Sequence, residues 1–421
     1  MNIFLLKHGP EIRSYTSPDY APYLENSLVL YLNNYQSKHL KDYQKKFAFD
    51  IVSVDNKYIK PNSFLYRFIE KTFYFIKRRY VLSRGEKQYS HDGKLEDISS
   101  KNIFFSLLLY FPYYFLNELY QYLSLRAASK ADRSLEYKNI NKIFVAGYEK
   151  SYLHILASLK KNNPECQIIF ILHSEKDLYI DSYIPNICDE YHLWQKSDAD
   201  YLKNTFPFFQ CIVKTVGVPR FKILDNYLGT SCIAKKKTQH FRVIYVCSHP
   251  NIVKNESELI ETLINITDSM GLAVDWYIRL NPMNGEIESF QRLCRDHVFI
   301  SLPNWEWSTD RFFNMPSFQS EEKFYDLIQQ SDIFVGSIST VALEACIAKK
   351  KYIALTFDND GESMKLNRLL NSQIYDRYRK YGQIITCSTK EEFGAQLMEE
   401  LRNLKSDDFF EPLRKELLGY E

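Results

Sequence analysis

The sequence predicts an α/β protein of two doubly wound, Rossmann-like domains facing each other across a cleft, and three observations carry that expectation. The chain has 421 residues, beyond the ~250 to 300 at which a single hydrophobic core stops growing. Short apolar runs of strand character alternate with amphipathic helical segments, the βαβ pattern of parallel sheets. That alternation breaks once, over residues 225–240, where Gly229 and the run Lys235 to Lys237 stand in a polar stretch that reads as a linker. Domains at 1–224 and 241–421 follow.

The elements can be taken in order. Asn2 to Lys7 is a strand; a Gly-Pro break and a helical region rich in Leu, Tyr and Asn run to about Leu40, and Phe47 to Val54 is a second strand. Residues of about 56–134 read as a helical, aromatic-rich insertion, with a polar loop near Ser83 to Ser100. From Lys142 the pattern sharpens. KIFVAG is a buried strand, YEKSYLHILASLKK an amphipathic helix and QIIFILH another strand, together one βαβ unit. CDEYHLW, the helix SDADYLKNTF and CIVKTVGVP complete the first sheet. The second domain repeats the alternation: RVIYVCS, a helix, AVDWYIRL, a helix, VFISL, the helix SEEKFYDLIQQ, DIFVGS, the helix TVALEACIAKK, YIALTF and finally QIITCS.

Composition limits the function classes. Lys and Arg number 54 against 52 Asp and Glu, a net charge of +2, which offers no electrostatic footprint for nucleic acid. Locally, Lys77, Arg78 and Arg79 sit among Phe73, Tyr74, Phe75 and Tyr80. That patch suits either a solvated helix face or contact with an anionic membrane. Eight cysteines without a Cys-x-x-Cys pair fit buried thiols in a reduced, cytoplasmic protein, not a disulfide scaffold or zinc site. MNIFLLKHGPEIRS reads as a first strand with no export signal. The most apolar run, Ile103 to Leu116, is interrupted by Pro112 and is shorter than the ~20 residues a bilayer demands.

Ligands of open α/β sheets bind beyond the carboxyl ends of the strands, so residues just after each strand are the candidates. After DIFVG come Ser337, Ser339 and Thr340 at a helix start, where hydroxyls and free backbone N–H groups suit a phosphate; simple capping by Ser339 is the alternative. Glu344, one turn further, is placed to accept from a ribose hydroxyl pair or to stabilise the positive helix end. Arg279 could neutralise a diphosphate or carboxylate, and Asn281, before Pro282, could hydrogen-bond a base or phosphate. Ser248 and His249 stand at the rim of the same cleft. In the first domain His173, Glu175 and Asp177 follow a buried strand and are candidates for the base that takes the proton of an attacking hydroxyl, with His8 a fourth. No metal is expected: Asp198-x-Asp200 is explained by capping, Asp358-x-Asp360 by a polar turn before Gly361, and no His and Cys cluster has zinc spacing. Neither the dinucleotide fingerprint nor a P-loop occurs, which argues against most dehydrogenases and kinases.

EEKFYDLIQQSDIFVGSISTVALEACIAKKKYIALTF resembles the C-terminal signature of GT-B glycosyltransferases, especially bacterial capsule and lipopolysaccharide transferases. RLNP is similar to the Arg-x-His-Pro of relatives that use CMP-activated sialic acid or Kdo, or CDP-glycerol, and VKTVGVPRF looks like the Gly-x-Pro-Arg at the linker start of that group. The resemblance covers roughly residues 142–360. It implies a metal-independent enzyme without a cofactor, moving a sugar from a nucleotide donor, CMP-linked by preference or UDP-linked, to a hydroxyl of a surface glycan or its lipid-linked precursor at the cytoplasmic face of the membrane. It also implies that Ser337, Ser339 and Thr340 hold the donor phosphate, Glu344 the ribose or sugar, and Arg279 with the 281–282 turn the nucleotide. Asn281 departs from the pattern, since several relatives carry a His there that can donate a proton. A CDP-glycerol glycerophosphotransferase, a UDP-sugar 2-epimerase and a catalytically silent glycan-binding subunit share the architecture.

Overall fold

A computed structural model of the chain describes residues 1–6, 8–32, 37–54, 137–147, 150–174, 187–205, 211–230, 240–284, 287–307, 314–371, 378–403 and 407–420, with scattered positions between 68 and 119 and at 375. It divides into two compact units, residues 1–36 with 43–216 and residues 37–42 with 217–421. Both are parallel α/β sheets of Rossmann type. The aromatic insertion, the basic patch at Lys77 to Arg79 and the lysines 235–237 lie largely or wholly outside the described residues.

In the first unit, β1 (Asn2–Leu6), β2 (Leu28–Tyr31), β3 (Asp50–Ser53), β4 (Lys142–Ala146), β5 (Gln167–Ile171), β6 (Glu190–Leu193) and β7 (Ile212–Thr215) form one sheet in the order β3-β2-β1-β4-β5-β6-β7. Every pairing is parallel. The strand β2 falls inside the stretch the sequence reads as helical. Leu28, Val29, Leu30 and Tyr31 are all buried, and a run buried on both faces has no alternation to reveal it. Phe4 and Phe144 stack at 4.6 Å on adjacent strands. Further along the sheet, the buried Glu190 carboxylate accepts from Gln167 Nε2 at 3.0 Å and pairs with Lys214 Nζ at 2.5 Å and with His192. Burial lowers the His192 pKa in spite of that carboxylate. Tyr20 OH closes the chain of contacts on His192 Nδ1 at 2.6 Å.

In the second unit, β8 (Phe241–Val246), β9 (Val274–Arg279), β10 (Val298–Ser301), β11 (Ile333–Gly336), β12 (Lys351–Leu355) and β13 (Ile384–Cys387) form a six-stranded parallel sheet in the order β10-β9-β8-β11-β12-β13. One face carries a core of Val243, Val274, Trp276, Ile333 and Ile353 that packs against Leu259 and Leu263 of one helix and Phe393 and Leu397 of another. In both sheets the order reverses between a first strand and its neighbour, β1 with β4 and β8 with β11, and the connections on the two sides run in opposite directions.

The expected linker is different in the structure. Pro219–Thr230 is a helix belonging to the second unit, so the boundary lies at Val216/Gly217 and residues 225–230 are helical. The cause is packing that a polar composition conceals: Val218, Phe221 and Leu224, three residues apart, are fully buried. Val218 N donates to Leu417 O at 2.7 Å. Gly217, with φ +74°, runs so close to the C-terminal helix Glu411–Leu418 that a Cβ would stand 2.3 Å from the Leu418 carbonyl carbon. Among the described residues no helix is long and apolar enough to cross a membrane, no group of His, Cys, Asp and Glu is arranged to hold a metal, and the described cysteines are free thiols. Asp358–Asp360 sits in a short hairpin, where Asp360 N donates to Asp358 Oδ1 at 3.0 Å, and Asp198 Oδ2 accepts from Gln195 N at 3.1 Å at a helix start.

Candidate functional site

The second unit brings its sequence candidates to one edge. Val246 pairs with Arg279 on one side and with Gly336 on the other, so β9, β8 and β11 end level. Beyond these ends stand Asn281 and Pro282, Ser248 and His249, and Ser337 to Thr340. Gly336 makes the close approach possible. Its φ is +152°, and a Cβ there would lie 2.4 Å from Val246 O.

Each side chain has a local reason for its place. Ser339 caps the helix Thr340–Ile347, its Oγ accepting from Val341 N at 3.3 Å. Ser337 is buried, and its carbonyl accepts from Tyr352 OH at 2.6 Å. Arg279 is buried with its guanidinium 4.5 Å from the centre of the Phe324 ring, and its Nη1 donates to Ser301 Oγ at 3.2 Å. Asn281 Oδ1 accepts from Met283 N at 2.9 Å and so shapes its own turn. His249 Nδ1 accepts from Asn251 N at 3.2 Å, which leaves the proton of the neutral ring on Nε2. Glu344 is buried one turn into the helix, with Oε1 4.0 Å from Arg220 Nε.

Sequence reasoning missed Glu256, beneath this edge. Its carboxylate accepts from Ser248 N at 3.0 Å and 3.1 Å, from Ser248 Oγ at 2.7 Å and from Tyr245 OH at 3.2 Å. Burial raises its pKa to about 7 against the pull of those donors. The Ser248 hydroxyl therefore spends its proton on Glu256, while its lone pairs stay available. Tyr245 and Tyr352 are pushed well above the usual phenol range by burial. Nothing in the linear sequence joins Ser248 to Glu256; the turn of Asn255, left-handed at φ 50°, delivers the glutamate as the helix Glu256–Ser269 begins.

In the first unit His173 follows β5, and its Nδ1 lies 2.9 Å from Ser14 Oγ. Glu175 and Asp177 lie outside the described residues. His8 N donates to Glu11 Oε2 at 3.2 Å, and Tyr152 OH reaches the same oxygen at 2.7 Å. Glu11 and Ser14 are two further polar groups that the sequence reading did not single out.

No known family profile and no curated protein matches the chain. Among solved structures it is similar to the UDP-GlcNAc 2-epimerase of Neisseria meningitidis bound to UDP-GlcNAc, at 10% identity and TM-score 0.52, covering 99% of this chain and 94% of that one. It is also similar to a second UDP-N-acetylglucosamine 2-epimerase, at 11% identity and TM-score 0.50, covering 99% and 90%. The likeness shows the fold. It is α/β, with two Rossmann-like units of GT-B type.

Proposed function

We propose that the chain is an enzyme acting on a nucleotide-activated sugar, and specifically a glycosyltransferase that moves the sugar to a hydroxyl of a surface polysaccharide, lipopolysaccharide or capsule precursor. The observation that supports the reading is the level edge of β9, β8 and β11, where Arg279 ends one strand and Ser248, His249, Ser337, Ser339 and Thr340 follow the other two. Phosphate oxygens there would accept from the helix N-terminus and its hydroxyls, with Glu344 taking the ribose hydroxyls. In transfer, the bond from the anomeric carbon to the phosphate oxygen breaks and the nucleotide leaves with the electron pair. The acceptor oxygen bonds to the same carbon and gives up its proton. His173 suits that last task in the tautomer whose Nδ1–H is directed to Ser14 Oγ, with Nε2 as the base. No step assigned to these residues calls for a metal, the cationic Arg279 and the helix end taking the leaving charge.

A second reading has its own support. Both solved structures described above are UDP-GlcNAc 2-epimerases, and an epimerase would use the same nucleotide socket. One experiment separates the two: incubation with CMP-, UDP- and GDP-sugars, with and without lipid-linked or polysaccharide acceptors, read by nucleotide release and by NMR of the sugar. Acceptor-dependent release with a new glycosidic bond supports the transferase; inversion at C2 without an acceptor supports the epimerase. No turnover of any activated sugar overturns both.

A further inference from the structure

The proposed donor site has a cation that none of the assignments above uses. Arg220 opens the helix Pro219–Thr230, directly after the Gly217–Val218 segment docked on the C-terminal helix, and Phe221 beside it is fully buried. Its place is therefore fixed by its neighbours. The Arg220 side chain is only 12% exposed, and its Nε and Nη2 are shielded from solvent without a hydrogen-bond partner. Arg13, Arg242 and Arg379 each leave one such nitrogen; among the described residues Arg220 alone leaves two. Buried N–H groups on a charged group are seldom left unmet, because losing water without a partner costs on the order of 1–3 kcal/mol for each group.

The identity of the two nitrogens is informative. Nε–H and Nη2–H point the same way and form the side-on edge of the guanidinium, which grips two oxygens of a phosphate or carboxylate at once. Among the described residues the nearest carboxylate oxygen, Glu344 Oε1, stands 4.0 Å from Nε, too far for a hydrogen bond. Glu344 belongs to the helix that Ser339 caps, so the open edge of Arg220 lies beside the first turns of the helix proposed to receive the donor.

Resting on that reading, we propose that Arg220 is a phosphate ligand of the nucleotide donor, its Nε–H and Nη2–H taking two phosphate oxygens bidentately while Glu344 holds the guanidinium in place. The donor phosphate is then shared between the helix N-terminus and a preset arginine fork.

The test is calorimetric titration of the wild type, R220K and R220Q with whichever of CMP, CDP, UDP and GDP binds the wild type, beside the matching nucleoside. R220Q should lose about 10- to 100-fold in affinity for the nucleotide and nothing for the nucleoside, as expected for a charge-assisted fork. R220K, which keeps the charge without the fork, should fall between them and serves if R220Q does not fold. Nucleotide affinity unchanged in either variant overturns the role of Arg220 and leaves the enzyme assignment standing, the residue then being only a structural partner of Glu344. A wild type that binds none of the four nucleotides removes the donor socket itself, and this inference with it.

Discussion

Replacing Glu256 by Gln should flatten the pH dependence of stability of the second unit. The carboxyl is 5% exposed, and burial raises its pKa to about 7 from the ordinary 4.5. The folded protein therefore keeps this proton at pH values where the unfolded chain has lost it. The stabilisation is fully present below the unfolded value and disappears as pH rises through the folded one. A shift of that size corresponds to about 3 kcal/mol in all, most of it lost between about pH 5 and pH 8. E256Q cannot titrate, yet its side-chain oxygen can still accept from Ser248 N and Oγ, so the fold should persist.

Hydrogen exchange of the β8 and β9 amides, corrected for intrinsic rates, isolates the second unit. Wild-type opening free energies should fall by about 2 to 3 kcal/mol more than those of E256Q between about pH 5 and pH 8. Superimposable pH dependences would refute the reasoning, since they would mean that the Ser248 and Tyr245 donors hold Glu256 ionised throughout. A collapse of E256Q at every pH would point instead to the hydrogen bonds as the main contribution, and E256D or Ser248→Ala would then be compared for the same slope.

Three other substitutions probe neighbouring parts of the argument. Gly336→Ala should destabilise the second unit by more than about 3 kcal/mol in denaturant melts, because its Cβ meets Val246 O at 2.4 Å in a backbone conformation that disfavours alanine; a near-neutral effect would mean the strands can part. Ser339→Ala should cost about 1 kcal/mol through the lost cap on Val341 and also weaken nucleotide binding. Loss of stability alone would assign Ser339 to capping. His173→Ala should lower transfer to acceptor by about 10²- to 10⁴-fold, the range of general base catalysis, while nucleotide affinity in calorimetry stays unchanged. Full activity would move the base to another group.

Much of the second unit was legible because its strands are apolar runs set between periodic helices, and because the sheet order places residues after β8, β9 and β11 together. The exceptions have physical causes. The strand Leu28–Tyr31 is buried on both faces and so carries no period of two. The helix Pro219–Thr230 runs into the polar stretch after Leu224, and its apolar stripe gains a use only by packing on the helices Phe318–Gln330, Thr340–Ile347 and Glu411–Leu418, distant in sequence. Arg220 was visible within the Gly-x-Pro-Arg motif, but its unmet nitrogens exist only in three dimensions. Glu256 looked like any acidic residue in a first helical turn, where dipole stabilisation is reason enough for a glutamate.

Glu256 has a counterpart, and the pair helps to separate scaffold from chemistry. In the first unit Glu11, buried after β1, accepts from His8 N and Tyr152 OH. In the second, Glu256, buried after β8, accepts from Ser248 N and Tyr245 OH. Each sheet thus ends its first strand, beside the point where strand order reverses, with a backbone N–H that no neighbouring strand can satisfy, and each meets it with a carboxylate and a tyrosine. A similar arrangement used twice, built from different sequence spacings, answers a demand of the fold. The proposed function therefore looks to what differs: the Ser14 and His173 pair in the first, and in the second the Ser-capped helix with Glu344 and the fork proposed for Arg220.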